Sequence, residues 1–262
     1  MDLHFKSLLN FLDKATLGQL LVLVAGVPLI GYMIVMIFAF GWKSRPVKGP
    51  DRWYIYGMIS YLMSFLWIWL SHSKVLVNMP AFTFFPINFL LWLGPIMFQF
   101  IKSKLYVNFR FTGKDLKHFI LPIAHLSFYV FAFCLPATQK YGLYTQEYHF
   151  LYKPLEEASF GIIMFLYCYF AYRFIKHEQW SITSMTPKPE IVKISWLRRF
   201  FKLFFLCAIV HLTNGLFTML NAFFIKINFE TNYLELLNIF VLIVCMGWLG
   251  FHAVIMKALP KP

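Results

Sequence analysis

The sequence predicts an all-α, polytopic membrane protein with seven transmembrane helices. Three observations carry that expectation. The chain of 262 residues is 60% hydrophobic and only 13% charged, whereas soluble domains run near 45–50% and about 25%. Apolar stretches recur at the length of a membrane span, about 20 residues per helix. Lysine and arginine are distributed unevenly between alternate connecting segments, as orientation in a membrane requires.

The spans are expected near 17–41, 53–72, 82–104, 117–136, 156–175, 197–224 and 234–257. Together they use nearly the whole chain, so 1–262 is read as a single transmembrane domain. The first span follows a polar stretch, is long, lacks a small-residue cleavage site and precedes basic residues. It is therefore read as a retained helix and not a signal peptide. The net charge of +13 is assigned to membrane orientation and not to nucleic acid. Lys43, Arg45, Lys48 and Arg52 follow the first span. Lys102, Lys104, Arg110, Lys114 and Lys117 follow the third. Arg173, Lys176, Lys188, Lys193, Arg198, Arg199 and Lys202 follow the fifth. The alternate segments hold only Lys74, then Lys140 and Lys153, then Lys226. The N-terminus is expected outside and the C-terminus in the cytoplasm.

The third span, FFPINFLLWLGPIMFQFIKSKLY, carries Gly94-Pro95 near its middle and ends in Lys102 and Lys104. Pro95 cannot donate to the carbonyl four residues earlier. Gly94-Pro95 is read either as a static packing kink or as a hinge that moves the basic end. The segment 138–157 is read as an outer loop rich in tyrosine, an aromatic lid at the interface. Residues 177–195, with Pro187 and Pro189, read as an extended cytoplasmic loop.

Polar residues inside spans are costly and face the bundle interior. His211, Asn214, Gly215, Thr218 and Asn221 share one helical face of the sixth span. Asn238, Cys245, Trp248 and His252 do so on the seventh. His118, Pro122, His125 and Tyr129 do so on the fourth, and the third adds Asn88 and Gln99. Two readings are open: interhelical hydrogen bonds alone, or a ligand pocket built from Asn88, Gln99, His125, His211, Asn214, Thr218, Asn221, Asn238 and Trp248, suited to a small hydrophobic ligand. The eight histidines are scattered, without HExxH or clustered helical spacing, and the four cysteines lie one each in different spans. No metal, cofactor or disulfide framework is expected. Lys257 lies at the cytoplasmic end of the last span, which excludes a retinal Schiff base in mid-membrane.

Pro154-Leu155-Glu156-Glu157, leading into the fifth span, resembles the PxEE signature of the small seven-helix lycopene cyclases. That resemblance implies Glu156 and Glu157 as acids that protonate an isoprenoid double bond. The motif occurs once here, where those cyclases carry it in duplicated halves.

A second resemblance covers roughly residues 20–220. Phe85-Pro86, Gly94-Pro95, Lys102 to Lys104, Leu116 to Pro122 and Trp196-Leu197-Arg198 follow one another in order and spacing. They resemble the seven-helix membrane domain found N-terminal to bacterial AraC-type transcription regulators, especially in Bacteroidetes. Lys117 is inserted in the Leu116 to Pro122 motif. The chain reaches Pro262 without a helix-turn-helix segment, so no direct nucleic-acid contact is expected. The resemblance implies a sensory or regulatory protein of the bacterial inner membrane that signals to a cytoplasmic or membrane partner protein. A membrane enzyme acting on a lipid or isoprenoid, and a non-catalytic accessory subunit, remain the alternatives.

Overall fold

The structure is a computed structural model. It describes residues 30–35, 37–38, 49–72, 80–106, 109–182, 188–225 and residues 240, 241, 244 and 247. Every regular element among the described residues is helical. In chain order they are α1 (Gly49–His72), a 3-10 turn at Pro80–Phe82, another at Leu90–Trp92, α2 (Leu93–Leu105), a 3-10 helix at Gly113–Phe119, α3 (Ile120–Phe133), α4 (Ala137–Gly142), a π-helix at Leu143–Tyr152, α5 (Lys153–Ile182), α6 (Lys188–Leu220) and a π-helix at Asn221–Ile225.

Four of these segments are long and apolar enough to cross a membrane: Arg52–Ser71, Gly113–Phe133, Lys153–His177 and Phe204–Phe224. They correspond to the second, fourth, fifth and sixth predicted spans. Only short stretches of the first and seventh are described, and those residues are helical.

The predicted third span is built differently. Residues 83–89 are irregular, a 3-10 turn follows, and the α-helix begins only at Leu93. Pro95 therefore sits in the first turn of α2. A missing N–H is best tolerated in the first turn of a helix. Gly94 has a packing reason. A Cβ built there would stand 2.8 Å from Tyr167 Cδ2 and 3.3 Å from Ile163 Cγ2 of α5. Tyr167 in turn holds its hydroxyl 3.0 Å from His118 Nδ1. The glycine lets α2 approach a ring that is tied to the entrance of α3.

The basic end of α2 fixes the turn into α3. Lys102 Nζ pairs with Asp115 Oδ1 at 2.9 Å. Asp115 Oδ2 accepts from the backbone N–H of Thr112 at 3.0 Å and from its hydroxyl at 2.9 Å. Thr112 and Asp115 thereby form a capping box for the 3-10 helix that leads into α3. At the opposite end of α3, Lys140 Nζ donates to the carbonyls of Phe133 and Ala81, each at 3.0 Å. It satisfies an orphan helix-terminal carbonyl and pins the turn at Pro80–Phe82.

The main core joins α1, α2, α5 and α6 through Met58, Phe65, Met97, Phe100, Phe160, Phe204 and Ala208, with Met33 added from the first predicted span. The most intimate pair is α5 with α6. Gly161 of α5 lies on the backbone of Leu212, and Gly215 of α6 lies on the backbone of Ala158. One small residue on each helix lets the two backbones touch, as membrane helix pairs commonly arrange.

The predicted outer loop, 138–157, is helical throughout: residues 137–152 are helical and continue without a break into α5. In the wide π turn, Tyr144, Tyr148 and Tyr152 fall at every fourth position and pack along one face, the first two stacked and the third tilted. Their successive ring centroids are 5.4 and 5.7 Å apart. Tyr144 and Tyr148 are buried, where they join a second core cluster with Trp67, Phe84, Tyr129 and Ala132.

Candidate functional site: a buried carboxylate network

That second cluster surrounds one carboxyl group. Glu156 lies in the first turn of α5, where an acid suits the positive end of the helix dipole. Its side chain is buried, with the residue only 7% exposed. Burial of a carboxylate is affordable only when its oxygens are hydrogen-bonded, and donors converge on both of them. Asn88 Nδ2 donates to Oε1. His125 Nε2 stands 2.9 Å from Oε1. The Tyr129 hydroxyl lies 3.3 Å from Oε1 and 3.2 Å from Oε2, and the Tyr148 hydroxyl 3.1 Å from Oε2.

Each donor has a local reason to be there. Asn88 closes the irregular segment before α2: its Oδ1 accepts from Leu90 N–H at 3.2 Å, which starts the 3-10 turn and turns Nδ2 toward Glu156. His125 and Tyr129 are one helical turn apart on α3. Tyr148 is delivered by the π-helix; such widened turns occur often at functional sites. Burial and the adjacent Glu156 carboxylate hold the Tyr148 phenol well above its ordinary range, so it stays protonated and available to donate.

The two hydroxyls are also 3.0 Å from each other. Two hydroxyl protons thus serve three contacts: Tyr129 to Tyr148, Tyr129 to Glu156 and Tyr148 to Glu156. The protons can redistribute among these positions without moving a heavy atom. On the other side of the imidazole, His125 Nδ1 is buried and has no hydrogen-bond partner among the described residues.

An aromatic shell closes the site. Trp67 meets the Tyr129 ring edge-on at 5.2 Å, Tyr152 stacks on His125 at 6.3 Å, and Tyr152 stacks on Phe128 at 4.1 Å. Phe84 packs against Tyr129, Tyr144 and Tyr148 with centroids at 5.9, 5.8 and 5.3 Å. Phe84 is fully buried and has φ of 59°. That left-handed backbone is costly for a bulky residue and is held in place by the rings around it.

The structure brings Asn88, His125 and Glu156 together, although the sequence offered Asn88 and His125 for a pocket and Glu156 for a separate motif. Glu157 is half-buried and stands outside the set of side chains bonded to Glu156. Gln99 lies in the middle of α2, with Nε2 3.5 Å from Asp115 Oδ1. His211 Nδ1 is 3.0 Å from the Cys207 carbonyl oxygen, one turn back on its own helix, and its ring meets Phe160 edge-on at 5.1 Å. Asn214 is buried, and neither of its amide atoms has a partner among the described residues. Thr218 donates back to the Asn214 carbonyl at 2.9 Å. Asn221 opens the second π-helix. Asn238 and Trp248 lie outside the described residues. Tyr148 was not singled out in the sequence; the tyrosines at every fourth position are the signal that marks it. Among the described residues no group of His, Cys, Asp and Glu could hold a metal ion.

No protein family, curated protein or solved structure matches the chain.

Proposed function

We propose that the chain is a sensory or regulatory protein of the bacterial inner membrane. In this reading it has seven helices, its N-terminus outside and its C-terminus in the cytoplasm. The helix bundle passes a signal to a cytoplasmic or membrane partner, and the Glu156 network is the outer element of that path. One observation carries the reading. A single buried carboxylate is held by Asn88 before α2, by His125 and Tyr129 on α3, and by Tyr148 on the π-helix. Any event that alters one of those bonds is felt by every segment at once. Packed helices respond to such changes by discrete shifts and not by gradual deformation. The order of motifs resembling the membrane domain of AraC-type regulators supports the same reading.

The alternative of a lipid or isoprenoid enzyme asks for a carboxyl that faces its substrate. Glu156 is instead surrounded by protein donors and an aromatic shell.

The test is spin-label distance measurement between Lys104→Cys on α2 and Lys176→Cys on α5, in a cysteine-depleted background and in lipid nanodiscs. Both positions are exposed, Lys104 in the last turn of α2 and Lys176 in the C-terminal part of α5. Glu156→Gln should shift the distance distribution by about 2 Å, the scale of helix shifts in switching proteins. An unchanged distribution in a folded Glu156→Gln protein overturns signal transmission and leaves the network as a structural tie.

A further inference from the structure

A second feature lies apart from the Glu156 network and does not depend on the signalling reading. Between α1, the start of α2 and the Gly113–Phe133 segment runs a groove of about 420 Å³. Its wall is a continuous run of rings. Phe89 and Trp92 have centroids 5.9 Å apart, Trp92 and Phe119 5.7 Å, Phe119 and Trp53 6.3 Å, and Trp53 and Phe111 5.3 Å. Ile59 and Ile123 line it as well and are exposed, so the groove is open along its length. Two of its walls belong to segments apolar enough to cross a membrane, a setting in which an apolar occupant could come from the hydrocarbon.

One end is strongly basic. The ring run finishes at Phe111, immediately after Arg110. Arg110, Lys114 and Lys117 are all exposed. The only acid between residues 102 and 119 is Asp115, and it is buried and paired with Lys102. The groove thus combines an apolar, aromatic channel with a mouth at one end where, within residues 102–119, three exposed cations stand beside a single, already paired acid.

We propose that this groove binds an anionic glycerophospholipid, with an acyl chain along the ring run from Phe111 toward Phe89 and the phosphate at Arg110, Lys114 and Lys117. A neutral lipid would fill the channel but leave the cations unanswered. A soluble anion would answer the cations but leave the apolar wall without an occupant. Basic clusters beside membrane helices recognise anionic headgroups in this way, each cation strengthening binding about fivefold.

The full chain in nanodiscs of phosphatidylcholine supplies the test. Phosphatidylglycerol with brominated acyl chains is titrated in, and tryptophan quenching is read against the same titration with brominated phosphatidylcholine. Trp53 and Trp92 are the groove's reporters. Brominated phosphatidylglycerol should give an early, saturating quenching component that brominated phosphatidylcholine lacks. That component should vanish in Trp53→Phe/Trp92→Phe. In Arg110→Gln/Lys114→Gln/Lys117→Gln it should move to about a hundredfold higher lipid fraction, from three cations at about fivefold each. These three side chains are exposed, so the triple variant retains its fold. Ile123→Trp, which fills the channel and leaves the cations in place, should also weaken the early component. Equal curves for the two lipids would assign the groove to bulk bilayer or to a neighbouring helix and overturn the proposal. An unshifted curve in the triple variant would overturn it equally.

Discussion

His125 Nε2 and Glu156 Oε1 stand 2.9 Å apart, although one residue belongs to α3 and the other to α5. The contact is buried on both sides, and Glu156 is the common acceptor for Asn88, Tyr129 and Tyr148 as well. Removing it leaves several buried donors without an acceptor, each costing about 1–3 kcal/mol. Glu156→Ala should therefore destabilise the protein by about 3–5 kcal/mol, the range for breaking a buried charge network. Glu156→Gln keeps one acceptor oxygen but turns an amide N–H₂ toward donors, so its loss should be smaller, about 1–3 kcal/mol. Thermal unfolding followed by tryptophan fluorescence in detergent reads both. Equal stability of Glu156→Ala and the parent would show that the network contributes nothing to folding.

The α5–α6 crossing makes a sharper steric prediction. A Cβ at position 161 would lie 2.5 Å from Leu212 Cα, and one at 215 would lie 2.6 Å from Ala158 N. Backbone atoms cannot rotate away, so the helices must separate. Gly161→Ala and Gly215→Ala should each cost about 1–3 kcal/mol by overpacking. Gly57 in α1 is the control. A Cβ there meets only side chains, at 3.5 and 3.6 Å, so Gly57→Ala should stabilise by about 0.5–1 kcal/mol through helix propensity. Indistinguishable Tm values for the three variants would contradict the close crossing.

Gly94 and Pro95 separate in the same manner. Pro95 occupies the first turn of α2, where a missing N–H is tolerated. Pro95→Ala should change stability by less than about 1 kcal/mol, an entropic effect of the unfolded chain. Gly94→Ala pushes on Tyr167, whose hydroxyl is engaged with His118. It should destabilise more than Pro95→Ala and weaken the α2–α5 contact. A larger effect at Pro95 than at Gly94 would instead favour a proline-centred pivot.

These residues show where the sequence was legible. α1, α5 and α6 each contain a long apolar window, and such windows reveal membrane-length helices directly. Continuous apolarity could not distinguish the irregular chain at 83–89 from helix, because buried backbone of any shape is lined by apolar side chains. Only Pro86 and Asn88 hinted at it. The segment 138–157 read as a loop because its aromatic and polar residues match no 3.6-residue period; the π-helix follows a wider one. In the site, Asn88, His125 and Glu156 were each visible as polar residues in apolar surroundings. Their common meeting point was not, because it depends on the packing of α3 against the start of α5.

Tyr148 gives the network a signature in alkali. Burial and the Glu156 carboxylate, with Tyr129 and Tyr144 beside it, raise the phenol well above its ordinary value of 10.0. The folded protein therefore keeps this proton at pH values where the unfolded chain has released it. Stability from the group is fully present below pH 10 and falls as pH rises beyond it, since the unfolded state then gains by ionising. Tyr148→Phe cannot titrate. At neutral pH it should be less stable than the parent by about 1 kcal/mol, having lost a donor to a charged group. Above pH 10 the parent should fall faster, so the gap between the two closes as the pH is raised. Urea-unfolding midpoints across the alkaline range test this. A gap that stays constant or widens beyond pH 10 would place the Tyr148 hydroxyl in water and remove it from the Glu156 network.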